Sequence, residues 1–511
     1  MAEKPGLKAV DLFRSIREGR VKALWVMATN PAVSLPDAAL VREALAACPF
    51  VVVSDCMAET DTSKHAHVKL PALGWGEKDG TVTNSERTIS RQRALLPAPG
   101  EAKPDWWIVK EVARAMGWRD AFTYDRPADV YREHARLSAY RNDGKRLFDI
   151  GHHAALTNSQ YDALEPVRWC GTPFADGRFP TPDGKARLVA VDQRPLDGAL
   201  PKWPLTLNTG RYRDHWHTMT RTGLSPRLSQ HRREPLVEIH PLDAEEHGIA
   251  ARDLVRVMTP QGESVFRAEI GGGQRRGEIF VPIHWTDRQS NGGRAGLLPR
   301  ALVDPHSGQP GFKATPARIE KLAVEWRGFL IARTVPERIA AAYFAKVRVG
   351  PKPSSGGWLV ELAGTRDPLA LAKALLPKGE RVDIADPARG GLRIAVLEHG
   401  RLSAALYVTR SGRLPDRDWL IGQLAAAEAA ASVELLAGRP AAAPPERGPI
   451  VCACFDVGMN TIVEAIASRR LLSVEAVGAA LSAGTNCGSC KPAIRRLIGE
   501  TPKASGEAAS G

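Results

Sequence analysis

Val21-Lys-Ala-Leu-Trp-Val-Met27 and Phe50-Val-Val-Val-Ser-Asp55 are the two runs on which the fold of this chain turns. Each is a nearly continuous apolar stretch, which is how a strand of a buried parallel sheet reads. Between them, Asp37 to Ala47 puts Leu40, Val41, Ala44 and Leu45 on one helical face. The three pieces together form a βαβ unit. Open parallel sheets bind ligands just past the carboxyl ends of their strands. Thr29-Asn30-Pro31 and Ser54-Asp55 stand at those two ends, so they are candidate ligand contacts on geometric grounds alone.

Outward from this unit, residues 104–117 carry the signals of a helix. Asp105 is placed as N-cap, Ile108, Val109 and Val112 form the apolar face, and Gly117 ends it. Further helical sequence extends to about residue 150, so residues 1–150 form one α/β region. From 185 to 325 the pattern changes to short β-type runs: Arg187–Val191, Pro204–Asn208, Leu236–His240, Asp253–Met258, Ser264–Ile270 and Glu278–Pro282. Pro260-Gln-Gly262 and Gly271-Gly-Gly273 punctuate them, and the spacing predicts a closed or sandwiched β structure. One short helix, Pro241 to His247, stops at Gly248. Residues 326–437 read as a small α+β region. Its strands are Trp358–Leu362, Leu392–Val396 and Leu402–Val408, the last two paired through Glu398-His-Gly400, and Asp416–Ala431 is a helix. No chemical motif marks this region, and its role is left open. Residues 438–449 are a Pro-rich linker of semi-rigid type, and 501–511 a Gly/Ser/Ala tail expected to be disordered.

Composition narrows the class. The 511 residues include 70 Lys and Arg against 57 Asp and Glu, a net charge of +13. An Arg-rich solvated surface accounts for that excess, and so does attraction of phosphate groups or a small anionic substrate. The basic residues are scattered and no nucleic-acid module appears, so no nucleic acid is expected as partner. No apolar run approaches the ~20 residues of a bilayer span, and the first residues lack an apolar signal core. No membrane association is expected, and the expected location is the cytoplasm.

Four of the seven cysteines fall between residues 452 and 490, as Cys452-x-Cys454-x32-Cys487-x2-Cys490. Four soft thiolates suit a [2Fe-2S] cluster, and they also suit a structural zinc ion, although Cys-x-Cys is less usual there. The segment between the pairs explains how they meet. Thr461-Ile-Val-Glu464 has capping-box spacing, Ser473 opens a second helix, Gly484 breaks it, and Lys491-Pro492 starts a third. So small a domain has little core of its own, so bound metal would supply much of its folding energy.

Longer ordered stretches carry a family resemblance. They are Trp25-Val-Met-Ala-Thr-Asn-Pro31, Ser54-Asp55, Leu70-Pro-Ala-Leu-Gly-Trp-Gly-Glu-Lys-Asp-Gly-Thr-Val-Thr-Asn-Ser-Glu-Arg87 and Pro99-Gly-Glu-Ala-Lys-Pro-Asp105. Downstream are Thr209-Gly-Arg-Tyr-Arg-Asp-His-Trp-His-Thr218 and Asp304-Pro-His-Ser-Gly-Gln-Pro310 with Lys313. Residues 21–107 and 203–325 resemble the molybdopterin oxidoreductases, and among them most closely the assimilatory nitrate reductases. Val451-Cys-x-Cys through Ala483-Gly-Thr-x-Cys-Gly-x-Cys490 resembles the bacterioferritin-associated ferredoxin-like [2Fe-2S] domain, which implies residues 450–499 as that domain and Cys452, Cys454, Cys487 and Cys490 as its ligands.

The resemblance implies a partial, doubly wound parallel α/β domain over 1–150 and a double-psi type β-barrel over 185–325. Both would bind molybdopterin guanine dinucleotide, two of which hold one molybdenum. Asn30, Ser54, Asp55, Lys78 and Asp105 would contact one dinucleotide, with Lys78 neutralising phosphate and Asp55 accepting from guanine. Thr209, Gly210, Arg211, Trp216, His217 and Thr218 would wrap the second. Asn291 and Lys313 would close the pocket, with Trp285 beside them. The implied reaction is two-electron reduction of nitrate to nitrite, with oxygen transfer to molybdenum. Electrons would enter at the [2Fe-2S] domain from a flavoprotein reductase or a ferredoxin.

The chain departs from the family pattern in lacking the closely spaced cysteines of a [4Fe-4S] site and the residue that ligates molybdenum. Those parts are expected in a preceding or separate N-terminal half, and no residue here is assigned a catalytic role. Two other readings fit the same residues: another molybdopterin oxidoreductase such as a formate dehydrogenase, and a non-catalytic [2Fe-2S] electron-transfer module.

Overall fold

The computed structural model describes residues 4–179, 181–190, 200–350, 356–442 and 447–501. Its first sheet is three-stranded and parallel, in the order β1 (Ala23–Met27), β2 (Phe50–Asp55), β3 (Val68–Pro71). The connection between β1 and β2 is the expected helix, Ala38–Ala47. Asp37 is its cap, in a left-handed conformation (φ 51°), and its carboxylate accepts from the Leu40 amide. Helix Ala9–Arg17 packs against it, and Phe13, Ile16, Val41, Ala44, Leu45, Val51 and Val53 form the local core. β1 is less buried than an all-apolar run suggests: among its five residues Val26 alone is fully covered, and Ala23 is exposed.

Next comes a small antiparallel sheet that the sequence pattern did not announce, β4 (Gly80–Thr83), β5 (Thr88–Gln92) and the two-residue β6 (Val167–Arg168). Polar residues dominate β4 and its flanks, so no alternation signal arises. Helix Asp105–Ala115 begins at its expected cap residue, one position earlier than the sequence pattern implies. Extended Pro104 occupies the cap position, and Asp105 instead turns its carboxylate to Lys78. Helix Pro127–Ala139 supplies the expected helical sequence toward residue 150.

The β-rich region closes into a six-stranded barrel. Its strands are β7 (Leu205–Gly210), β8 (Leu236–Ile239), β9 (Leu254–Met258), β10 (Glu263–Ile270), β11 (Glu278–Pro282) and β12 (Thr315–Lys321), in the order β10-β8-β11-β7-β12-β9. β10 with β8 and β11 with β7 run parallel, and the other pairs antiparallel. Closure leaves no open edge. Leu207, Val237, Ile239, Val255, Val257, Phe266, Ile279 and Val281 fill the interior. The expected strand at Arg187–Val191 is not formed over 187–190, and Val191 lies outside the described residues. β12 was not anticipated because Pro316 removes a ladder donor. The barrel tolerates it where Pro316 lies opposite Thr206.

A six-stranded antiparallel sheet follows, β13 (Trp326–Ala332), β14 (Tyr343–Val349), β15 (Gly357–Gly364), β16 (Glu380–Asp386), β17 (Gly391–Glu398) and β18 (Arg401–Thr409), in the order β14-β15-β13-β18-β17-β16. The predicted helix Asp416–Ala431 is shorter, Arg417–Ala425 with Asp416 as cap, because Ala426 turns extended. This sheet is fastened to the barrel by a buried ionic knot. Glu234 accepts from Arg267 (2.8 Å), Arg252 (2.6 Å) and the Tyr343 hydroxyl (3.2 Å), and Arg417 grips Glu361 with two bonds of 3.0 Å.

At the C-terminal end a hairpin of β19 (Ile450–Cys452) and β20 (Val457–Gly458) precedes helices Met459–Arg469, Val474–Leu481 and Lys491–Glu500. Ser473 caps the second helix, its hydroxyl accepting from Ala476 at 3.1 Å. The first starts at Met459, not at Thr461. The hairpin delivers Gly458 into the cap position, and a Cβ there would run into the Arg447 carbonyl. Residues 502–511, which include nearly all of the expected tail, lie outside the described residues. Among the described residues no helix is long and apolar enough to cross a membrane.

Candidate functional site

The carboxyl ends of β2 and β3 open on a cavity of about 550 Å³, lined by Asp55, Cys56, Leu70, Ala72, Gly74 and, from the barrel side, Arg221. Asp55 reaches it with one carboxylate oxygen bonded to the Met57 amide at 3.0 Å. Ser54 is buried, and its hydroxyl accepts from the Trp25 indole at 2.8 Å, so its side chain is committed inward. Lys78 and Asp105 pair with each other, both about one-third exposed. Cys56 and Arg221, 3.4 Å apart, are site residues the sequence reading passed over. Cys56 sits one residue past a parallel strand end, which was signal enough to include it.

Asn30 is the residue that joins the two candidate halves. It is buried, and its carbonyl oxygen accepts from the Thr62 amide (3.1 Å) and hydroxyl (2.7 Å). Its amide nitrogen donates to the Thr218 hydroxyl at 3.0 Å, across 188 positions of sequence. Beside it, Asp61 binds Arg294 (2.9 Å) and Arg42 (3.3 Å), and Arg42 binds Asp287 (2.8 Å). Burial pushes the Arg294 guanidinium down to about 10, partly opposed by Asp61. An ion cluster this enclosed locks the first sheet to the barrel loop 286–294.

On the barrel side, β7 ends at Thr209-Gly210. The Thr209 hydroxyl donates to the Phe312 carbonyl (3.0 Å), and Lys313 donates to the Thr209 carbonyl. Gly210 lies so close to the Phe280 ring that a Cβ would approach it to 2.8 Å. Arg211 is exposed. Trp216 is half exposed, with the Arg221 guanidinium 4.9 Å from its ring centre and His217 edge-on at 4.5 Å. His217, Thr218 and Met219 are three consecutive residues with positive φ (46°, 51°, 57°), a run that side-chain-bearing residues rarely adopt.

Several buried polar atoms here have no partner among the described residues: His215 Nε2, His284 Nε2 and Trp285 Nε1. Burial pushes both imidazoles down to about 4, so they are neutral at pH 7. Burial is the main cause at His284, and the nearby His215, Arg211 and His217 lower its pKa further. His284 itself has φ 89°. Orphaned buried donors of this kind call for a polar ligand. His284 was missed by the sequence reading, although it follows the end of β11 by two residues. Asn291 is committed elsewhere: its amide donates to Ala341 and Ala342 and accepts from Phe344, tying it to the antiparallel sheet.

The four clustered cysteines come together at the C-terminal end as two pairs. Cys454 and Cys487 have sulfurs 3.4 Å apart, and the Cys490 thiol is hydrogen-bonded to Cys452. Cys452 and Cys490 are buried, Cys454 is half-buried and Cys487 exposed. Burial pushes the Cys490 thiol up, and the bond to Cys452 adds to that, whereas the Ser489 hydroxyl and backbone hold Cys487 down. Among the described residues no three His, Cys, Asp or Glu side chains converge on one point as for a single metal ion. A [2Fe-2S] cluster takes two thiolates on each iron, so two pairs fit its demand.

Family models match three stretches. Residues 1–115 match the molybdopterin oxidoreductase model, 205–316 the molydopterin dinucleotide binding domain, and 450–500 the BFD-like [2Fe-2S] binding domain. The chain belongs to the molybdopterin oxidoreductases and carries both a dinucleotide-binding and a [2Fe-2S]-binding domain. It is 43% identical over 508 residues to a nitrate reductase of Klebsiella oxytoca, which spans 98% of this chain and 58% of the relative. It is 34% identical over 329 residues to the assimilatory nitrate reductase catalytic subunit of Bacillus subtilis, covering 62% of this chain and 44% of that one. The chain thus spans about half the length of these relatives. Acetylene hydratase from Pelobacter acetylenicus shares the fold at a TM-score of 0.50 and 19% identity, over 61% of this chain and 46% of that one.

Proposed function

We propose that this chain is the cofactor-cradling and electron-entry part of a molybdenum-dependent assimilatory nitrate reductase that works in the cytoplasm and reduces nitrate to nitrite. The observation that carries this reading is the 43% identity to a nitrate reductase across 98% of the chain, cysteine unit included. The barrel is read as the double-psi type, on its mixed parallel and antiparallel closure.

In this reading Asn30, Asp55, Lys78 and Asp105 hold one molybdopterin guanine dinucleotide at the ends of the first sheet. Thr209, Gly210, Arg211, Trp216, His217, Thr218, Trp285 and Lys313 hold the other at the barrel end. Ser54 and Asn291 shape the site through Trp25 and β14 respectively. When bound, the molybdenum cofactor supplies the two-electron, oxygen-accepting chemistry. The chain's own groups orient it: neutral His215 and His284 offer ring nitrogens, the Trp285 indole offers an N–H, and Arg211 and Lys78 balance phosphate charge. The four cysteines hold a [2Fe-2S] cluster whose Cys487 edge faces solvent, where a flavoprotein reductase or a ferredoxin can deliver electrons.

Two measurements test this. Purified chain should contain iron and acid-labile sulfide in equal amounts, about two of each per chain; zinc in their place rejects the electron-entry role. Disrupting the chain's gene in its native host should abolish growth on nitrate as sole nitrogen source and leave growth on nitrite intact. Undiminished growth on nitrate rejects the assignment.

A further inference from the structure

The [2Fe-2S]-binding unit does not hang on its linker. It is seated on the same barrel segment that carries the candidate dinucleotide contacts. Arg213 Nη2 donates to the Val451 carbonyl at 3.1 Å, and Arg227 Nη1 donates to the Cys454 carbonyl at 3.2 Å. These two carbonyls belong to the β19–β20 hairpin that presents the first cysteine pair. Arg213 lies two residues beyond Arg211 and is gripped by Asp214 (3.2 Å), which also stands 3.3 Å from His231. The region of the antiparallel sheet closes the seat. Asp418, at the start of helix Arg417–Ala425, accepts from Arg233 at 2.6 Å, and Arg447 bridges from Asp418 to Asp456 beside the cysteines.

We propose that Arg213 and Arg227 are positioning residues for the iron–sulfur cluster: they fix it against segment 209–233 and hold positive charge beside it, so that it accepts an electron more readily. The inference rests on the [2Fe-2S] assignment. On reduction by one electron the cluster gains one negative charge, and a guanidinium a few ångströms from its ligand loop favours that state. Arg227 contributes most. Among the described residues it has no carboxylate partner, whereas Arg213 is offset by Asp214. The role of residues 326–437 follows from the same contacts. They are a bracket, carrying Asp418, that keeps cluster and barrel in one register.

The test is a dithionite titration of the purified full chain, followed by the electron paramagnetic resonance signal of the reduced cluster, after iron and sulfide have been measured. Arg227→Gln keeps a donor for the Cys454 carbonyl and removes only the charge. It should retain full iron and lower the reduced-to-oxidised ratio at fixed potential by about tenfold, or 59 mV for one electron. Arg213→Gln should shift the ratio the same way. Arg227→Lys should titrate close to wild type. Fully loaded Arg227→Gln that titrates with wild type, or Arg227→Lys that titrates with Arg227→Gln, overturns the proposal. A chain isolated without iron overturns the cluster assignment beneath it, and the metal analysis separates these two failures.

Discussion

Replacing Asn30 by Ala should loosen the junction between the first sheet and the barrel. Asn30 satisfies three groups at once: the Thr62 amide and hydroxyl through its carbonyl oxygen, and the Thr218 hydroxyl through its amide. Asn30, Thr62 and Thr218 are all buried, so water does not replace what is lost. The two threonine hydroxyls can rotate toward other partners, but the Thr62 N–H cannot. One stranded backbone donor costs about 1–3 kcal/mol, and the lost side-chain bonds add about 1 kcal/mol, for roughly 2–4 kcal/mol in all. The chain has several cooperative units, so a local readout is the right one. Hydrogen exchange of a peptide covering Thr60–Ala66 should speed up by at least about thirtyfold, the equivalent of 2 kcal/mol at 1.36 kcal/mol per decade. Asn30→Asp keeps the Thr62 bonds, so it should restore part of the protection at pH 7 despite burying a charge. Exchange in Asn30→Ala within threefold of wild type would refute the clasp.

Cys487→Ser and Cys454→Ser should each abolish the iron-dependent visible absorbance of the purified chain; retained colour in either removes that residue from the ligand set. Glu234→Gln strands Arg267 in the knot beneath β14 and should destabilise the barrel–sheet junction by about 3–5 kcal/mol, read as a lowered thermal transition; an unchanged transition would count against the knot. Arg267 and Arg252 hold the Glu234 carboxyl well below its ordinary range against the opposing effect of burial. Its contribution is therefore complete above the unfolded pKa of about 4.3 and is lost as pH falls through the lower folded value, which acid-unfolding curves of wild type and Glu234→Gln should show by converging at low pH. Burial depresses His215 and His284 to about 4, so the unfolded chain binds more protons between about 4 and 6.5 and stability should drop as pH falls through that window. Neither imidazole should titrate between pH 6 and 8 by NMR, and a mid-range titration of both would contradict their burial.

How much was legible from sequence depended on whether a signal was local. The β1–helix–β2 unit, the strands from Leu205 to Pro282 and the Ser473 cap were readable because periodicity and capping act within a few residues. β12 and the sheet of β4–β6 were not. A proline hid the first, and polar short strands left no alternation in the second. The errors at Asp105 and Thr461 have one cause. Both had the right residue type for a cap, yet a distant partner (Lys78) or a preceding hairpin took precedence. The site showed the same division. Asn30 and Asp55 were picked out by their position at strand ends and Thr209 by the family resemblance, but the inward commitment of Ser54 and Asn291 depends on Trp25 and on β14. His284 and Arg221 carry no motif, and only the folded chain brings Arg221 to the cavity and buries His284 past the end of β11.

The run His217–Met219 shows what the fold spends on this region. Three non-glycine residues in left-handed conformation cost on the order of 1–2 kcal/mol each. Something nearby must over-determine the conformation for it to persist. Met219 is 1% exposed, and burying such a side chain returns about 1.5–3 kcal/mol. The Asn30–Thr218 bond and the Trp216 carbonyl, which accepts from the Met219 amide at 3.0 Å, add the rest. The strained turn is thus held from both sides, by the core it shares with the antiparallel sheet and by Asn30 across the junction. Without the first sheet the turn would lose the Asn30 bond and one of its reasons to stay left-handed. The barrel-end contacts at 216–218 are accordingly a joint product of two regions nearly two hundred residues apart. That is why no window of sequence, however well its motif is preserved, specifies their geometry by itself.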